Sequence, residues 1–158
     1  MNIYLLKWTC NDKSAYKIGI SKSHSRLMEE RFGRNSKFWH PGYGLFDIEE
    51  IGHIYISSDI YLHARIAAFG VEHAMRAVCP KDFNLEEYFG LEPGVLDGMG
   101  GITEFFLMPE YFTEDQLIGI FNQANNNAWQ LNNKLKSLRG TVAADMEILT
   151  NTIAEITS

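Results

Sequence analysis

The fold is decided by residues 3–20, which read IYLLKWTCNDKSAYKIGI. Residues 3–9 are aliphatic and aromatic, and this composition indicates a largely buried strand. The polar stretch Asn11-Asp12-Lys13-Ser14 has the length and the residue types of a hairpin turn. Residues 15–20 then predict the returning strand, so this part of the chain is expected to be a β-hairpin.

Turn residues and apolar spacing predict further elements between the hairpin and residue 110. Residues 80–101, which become rich in glycine, are interpreted as an irregular insert. The elements are a short helix through residues 26–32, a strand from Leu45 to Ser57 bent at Gly52, a helix from Ile60 to Cys79, and a short strand or extended segment at 102–108. The pattern predicts an α+β fold, with a small three-stranded antiparallel sheet flanked by helices.

From Thr113 onward the pattern becomes helical. Thr113-Glu114-Asp115-Gln116 is typical of a helix N-terminus. Apolar residues then recur at alternating steps of four and three, as in a coiled coil, at Leu117, Phe121, Ala124, Ala128, Leu131, Leu135, Leu138 and Val142. Alternatively, Gly140 marks a turn between two antiparallel helices. We therefore predict a domain at 1–110 and a tail at 111–158, which is one long helix or a helical hairpin.

The tail allows two interpretations. In one, residues 114–158 pair with a second copy of the chain and form a homo-oligomer. In the other, ordinary helices fold back on the domain and bury their apolar face there. The spacing alone does not separate the two, and both remain open at this stage.

The charge of the chain is unevenly distributed. The formal net charge is −6, which by itself argues against general affinity for nucleic acid. However, residues 1–37 carry eight bases and three acids, whereas residues 38–110 carry three bases and twelve acids. This asymmetry predicts a local anion-binding face near the N-terminal hairpin, and an ordinary solvated surface is the alternative.

Cysteine content and hydropathy predict a cytoplasmic protein. The two cysteines, Cys10 and Cys79, provide neither a disulfide framework nor a metal cluster. No stretch approaches the roughly 20 apolar residues of a membrane-spanning helix. Residues 1–7 also lack the pattern of a signal peptide. We therefore expect no membrane partner.

Several short motifs occur in the order found in the GIY-YIG nuclease superfamily. The chain most closely resembles the phage-associated branch, in which the second motif reads KIG. In that branch a helix carries a glutamate, and a GxTEWF-like segment follows this helix. These motifs correspond here to Asn2-Ile3-Tyr4, Lys17-Ile18-Gly19, Arg26-Leu27, Val71-Glu72-His73-Ala74 and Gly101-Ile102-Thr103-Glu104-Phe105-Phe106. The resemblance covers roughly residues 1–110.

The resemblance implies metal-dependent hydrolysis of phosphodiester bonds in DNA by a phage or mobile-element protein. By analogy, Tyr4 and Lys17 position and deprotonate the attacking water. Arg26 then stabilises the phosphate charge, and Glu72 holds one Mg²⁺ or Mn²⁺. The basic residues expected to bind the nucleic acid are Lys22, Arg31, Arg34 and Lys37.

Strand alternation supports the choice of lysine in the second motif. It places Lys17 and Gly19 on one face of the sheet and Tyr16 on the other. A lysine acts as a base only when its pKa is lowered, and a protonated lysine can only orient a phosphate.

Two departures from the branch leave a second hypothesis open. No histidine follows Arg26 at the usual place, and Arg76 stands one turn after Glu72, where the branch commonly has histidine. Together with the net negative charge and the helical tail, these differences suit a catalytically inactive GIY-YIG-like module. Such a module would bind or inhibit a host protein or a nucleic acid.

Overall fold

The computed structural model of the chain describes residues 1–22, 44–57, 61–79, 82–99 and 102–157. Within these ranges the elements are β1 (Asn2–Cys10), β2 (Lys13–Ser21), β3 (Asp47–Tyr55), α1 (Tyr61–Val78), α2 (Leu85–Phe89), a 3₁₀ turn (Ile102–Glu104), β4 (Phe105–Phe106) and α3 (Glu114–Thr157). The predicted α+β class is confirmed. The helix predicted at 26–32 lies outside the described residues. Of the helices described, none is both long enough and apolar enough to cross a membrane.

The strands form one antiparallel sheet in the order β3-β1-β2-β4. The loop between β1 and β2 has two residues, Asn11 and Asp12, with φ angles of 50° and 60°. Asn and Asp tolerate this left-handed conformation, which suits the twist of a two-residue hairpin. The sheet has four strands instead of the predicted three, because Phe105–Phe106 pairs with Tyr16 and Lys17.

The bend predicted at Gly52 is a β-bulge in β3. Leu5 pairs with Gly52 and Leu6 pairs with Glu50, so Ile51 is the additional residue. A Cβ atom at Gly52 would lie 2.8 Å from the ring of Phe121 on α3. The absence of a side chain at Gly52 therefore lets α3 pack closely on the sheet.

Replacement of Gly52 by alanine is expected to lower the free energy of unfolding by about 2 kcal/mol, because the new methyl group overlaps a buried ring. Chemical denaturation monitored by circular dichroism would measure the change. Gly119→Ala on α3 is the matched control, since its Cβ meets no atom within 4 Å and alanine favours the helix. Equal stability of the Gly52 variant and the wild type would contradict the close packing.

Helices α1 and α3 cover one face of the sheet. The buried side chains there include Ile3, Leu5, Tyr16, Ile18, Ala67, Ala68, Val71, Met75, Leu117 and Phe121. Small residues on α1 let the two helices approach the sheet and each other closely. Of the two hydrophobic cores that the described residues form, this face holds the larger.

The segment predicted as an irregular insert covers the opposite face of the sheet. It contains the short helix α2, and its side chains Leu85, Phe89 and Leu96 are buried. They pack with β-sheet residues Tyr4, Leu6, Trp8 and Ala15. The insert therefore supplies a second core, so residues on both faces of β1 are buried.

The tail is a single continuous helix and not a hairpin, and its first half packs on the domain. Thr113 and Gln116 form the predicted cap: the Thr113 N–H donates to Gln116 Oε1 and the Gln116 N–H donates to Thr113 Oγ1. The apolar positions from Leu117 to Ala128 are buried against α1 and the sheet. Asn132 is also buried, and its side chain donates to the Ser57 carbonyl at 2.7 Å.

A polar cluster joins the start of α3 to the sheet. Glu114 Oε2 lies 2.6 Å from Lys7 Nζ and accepts a hydrogen bond from the Tyr16 hydroxyl at 3.1 Å. The hydrogen bond from Lys7 lowers the pKa of Glu114 below its ordinary value of 4.5. Burial and the bond to Glu114 raise the pKa of Tyr16. The ionised carboxylate is therefore the form that the folded protein stabilises.

The Glu114→Gln protein is expected to be about 1 kcal/mol less stable than the wild type at pH 7. The loss is small because 34% of the Glu114 side chain is exposed and solvent screens the pair. A lowered pKa in the folded state stabilises the fold above pH 4.5, and this contribution is lost as pH falls through the folded pKa. The stability difference from wild type should therefore vanish in acid.

Denaturation midpoints measured between pH 3 and pH 7 would test this dependence. Asp115→Asn is the control, because it removes the same charge from an exposed position in the same helical turn. A difference between the Glu114 variant and the wild type that does not change with pH would contradict the role of the ionised carboxylate.

Candidate functional site

The outer edge of β2 is only partly covered. Strand β4 pairs with Tyr16 and Lys17 alone, and no described strand pairs with the outer side of β2 from Ile18 to Ile20. Helix α1 and the 3₁₀ turn lie beside this open edge. Together they enclose a cavity of about 330 Å³, the edge cavity, lined by Met1, Ile18, Gly19, Ile20, Arg65, Phe69, Glu72 and Glu104.

The first two motifs meet at Gly19. The strand register places Tyr4 directly opposite Gly19. The Tyr4 ring lies across this glycine, and a Cβ there would be 2.1 Å from both Cζ and Oη of the tyrosine. Tyr4 is fully buried, whereas Gly19 lines the edge cavity. The glycine of the second motif therefore provides the space that the tyrosine of the first motif occupies.

Lys17 does not line the edge cavity but forms an ion pair with Glu104, which does. Lys17 lies opposite Leu6 and Gly19 lies opposite Tyr4, so the lysine shares the face of Gly19 as its parity predicts. Its side chain is only 5% exposed, and Nζ lies 3.0 Å from Glu104 Oε2. Nζ is also 5.3 Å from the centre of the Phe105 ring. The lysine charge is therefore balanced by a carboxylate that itself lines the cavity.

One face of α1 supplies the opposite wall. Arg65, Phe69 and Glu72 line the cavity at steps of four and three. Arg76 follows four residues later on the same side of the helix, next to Glu72, and does not line the cavity. The Arg65 guanidinium lies 5.1 Å from the centre of the Phe69 ring. The Glu72 side chain is 15% exposed, and its Oε1 lies 2.7 Å from Arg76 Nη2. The buried residue Val71 fixes the helix to the core on its other side.

The donor atoms at the edge cavity suit a hard divalent cation. Mg²⁺ commonly takes one or two carboxylates and keeps several waters, so a single Glu72 in an open cavity matches its chemistry. Glu104 offers a second carboxylate on the same cavity. Across the described ranges, no group of three or more His, Cys, Asp or Glu side chains forms a complete protein cage for a metal.

The structure brings together only part of the predicted site. Glu72 lines the edge cavity, Tyr4 lies behind its wall and Lys17 contacts its rim. Lys22 is exposed at the end of β2, and its carbonyl accepts a hydrogen bond from the Asn2 side chain. The remaining predicted bases lie outside the described residues, namely Arg26, Arg31, Arg34 and Lys37.

Two residues of the cavity were missed from the sequence. Arg65 and Phe69 precede Glu72 by seven and three positions, and both line the edge cavity. Their position beside Glu72 could have been predicted from the helical spacing, because residues three and seven positions apart share a face of a helix.

No family model, no curated protein and no solved structure matches the chain. The order of the motifs and the geometry of the edge cavity are therefore the basis for assigning a function.

Proposed function

We propose that the chain is a metal-dependent endonuclease of the GIY-YIG type, which hydrolyses phosphodiester bonds in DNA at the edge cavity. The observation that carries the proposal is the meeting of Gly19 and Glu72 in one cavity, with Tyr4 packed directly behind Gly19. Gly19 and Glu72 belong to separate motifs on separate elements, and a purely structural role for each would not require them to line one cavity.

The cavity residues suit distinct parts of phosphodiester hydrolysis. Glu72 would hold Mg²⁺ or Mn²⁺, and the ion when bound supplies an activated water and neutralises charge on the phosphate. Arg65 is exposed on the cavity wall, and its guanidinium matches two phosphate oxygens. Arg26 remains the arginine that the family resemblance implies for the same task.

Tyr4 and Lys17 are buried, so we assign them indirect tasks. Tyr4 lies against Gly19, and from there it would fix the shape of the cavity wall that the attacking water contacts. The Lys17 amine is engaged in an ion pair with Glu104. We therefore propose that Lys17 stabilises negative charge at the rim and does not act as the general base.

Incubation of the purified protein with labelled DNA and RNA, double-stranded and single-stranded, tests the proposal. Separate reactions contain Mg²⁺, Mn²⁺ or a chelator. We expect DNA cleavage with either metal and none with the chelator. Cleavage confined to RNA would contradict the substrate assignment, and no cleavage under any condition would contradict the nuclease itself.

A second candidate function, a binding module that self-associates, is favoured by the far half of α3. Beyond Asn132 the helix continues to Thr157, roughly 38 Å at 1.5 Å per residue. Every side chain that the structure describes in this half is exposed, including Ile153 at 54% and Ile156 at 78%. We propose that this half pairs with an antiparallel second copy, because Lys134 and Glu155 place opposite charges near its two ends.

Light scattering coupled to size exclusion is expected to show a dimer of the wild-type protein. The Ile153→Asp/Ile156→Asp variant should be monomeric, because two charges replace apolar contacts. Asn151→Asp, an exposed position on the same helix, is the control and should leave the dimer intact. A monomeric wild type at high concentration would contradict pairing, and the exposed tail would then be tested against host proteins.

A further inference from the structure

Glu72 forms an ion pair with Arg76, which follows it by one turn on α1. The Glu72 Oε1–Arg76 Nη2 distance is 2.7 Å, and both side chains are largely buried, at 15% and 25% exposure. We propose that Arg76 competes with the divalent cation for the Glu72 carboxylate and keeps metal affinity low in the free protein. This inference rests on the metal site of the proposed function.

The geometry shows why the competition is direct. Both cations are attracted to the same carboxylate, and a guanidinium in contact with one oxygen cancels the charge that attracts a metal. A divalent ion that binds Glu72 must therefore share the carboxylate with Arg76 or displace it. Either process reduces the net affinity for the metal.

The surroundings of Arg76 add to this effect. Its Nε and Nη2 atoms are buried and donate no well-aligned hydrogen bond within the described part of the chain. The guanidinium is therefore held beside Glu72 mainly by charge. If it is displaced, a buried cation loses its counter-charge, which is unfavourable unless another anion replaces the carboxylate.

A nucleic-acid phosphate is an anion of the required kind. Guanidinium groups bind phosphate oxygens through charge-assisted hydrogen bonds. An Arg76 that turns toward a bound phosphate would leave Glu72 available to the metal. Binding of substrate and binding of metal would then favour each other, and thermodynamic linkage makes this coupling reciprocal.

Mn²⁺ binding measured by electron paramagnetic resonance tests the competition without any cleavage step. The proteins compared are the wild type, Arg76→Gln, Glu72→Gln and Lys13→Gln. Lys13 is exposed beside the turn between β1 and β2, so its variant removes the same charge at a remote place. We expect Arg76→Gln to bind Mn²⁺ at least about fivefold more tightly than wild type. Lys13→Gln should match the wild type, and Glu72→Gln should lose the site.

Equal or weaker Mn²⁺ affinity of Arg76→Gln would overturn the inference, as would an equal gain in Lys13→Gln. If Arg76→Gln does not fold, Arg76→Met preserves the aliphatic packing and replaces it in the comparison. Cleavage is assayed in parallel. Tighter Mn²⁺ binding by the variant without any cleavage supports competition and refutes the nuclease, whereas cleavage with equal Mn²⁺ affinities refutes competition alone.

Discussion

Replacement of Gly19 by alanine is expected to lower the free energy of unfolding by about 3 kcal/mol or more. The added methyl group would lie 2.1 Å from the Cζ and Oη atoms of Tyr4, far inside contact distance. Tyr4 is fully buried in the core beneath the insert, so its ring has no open space to enter. To accommodate the methyl group, either β1 and β2 must move apart or the core beneath the insert must repack.

Denaturation followed by tryptophan fluorescence would measure this change, since Trp8 belongs to the same core. Gly70→Ala on α1 is the matched control, because its Cβ meets no atom within 4 Å. Alanine there should stabilise the helix slightly. A Gly19 variant as stable as the wild type would contradict the contact between the two motifs.

A double variant separates the clash from other effects of alanine. Tyr4→Leu shortens the side chain that lies over Gly19 and is itself destabilising. Combined with Gly19→Ala, it should cost less than the sum of the two single changes, because the steric conflict has been removed. Simple additivity would show that the two positions do not interact.

Replacement of Glu72 by glutamine is expected to reduce the proposed metal-dependent DNA cleavage at least about 100-fold. Glutamine keeps the size of the side chain and removes the negative charge that would hold the cation. The change also leaves Arg76 without its counter-charge, so a small loss of stability is expected. Circular dichroism and thermal melting separate that loss from the effect on cleavage.

Glu110→Gln is the control for this experiment. Glu110 is exposed in the segment before α3, and its replacement removes the same charge away from the edge cavity. It should cleave like the wild type. A Glu72 variant that cleaves within threefold of wild type would refute the assignment of Glu72 as the metal ligand, whatever the activity of the protein.

The local elements could be predicted from the sequence. The hairpin depends on apolar strands and on Asn11 and Asp12, whose side chains tolerate a left-handed backbone. The start of α3 depends on a cap between Thr113 and Gln116, which are three residues apart. Interactions of this kind act between close neighbours in the chain, so their pattern is visible in the residues themselves.

The packing of the tail could not be predicted from the sequence. The spacing of four and three from Leu117 onward fits a coiled coil and equally fits a helix packed on a sheet. In the structure, Leu117 and Phe121 belong to the domain core, because the absence of a side chain at Gly52 leaves room for the Phe121 ring. Only the tertiary structure could decide which surface this stripe covers.

Some features of the candidate site could be predicted from the sequence, and others depended on the tertiary structure. Motif order in the sequence singled out Tyr4, Lys17 and Glu72, and strand parity placed Lys17 on the face of Gly19. The convergence of Gly19 with Glu72, the pairing of Lys17 with Glu104 and the second core under the insert were decided by tertiary structure. These contacts join segments about 50 to 90 residues apart, and their geometry depends on how whole elements pack, which local residue patterns do not encode.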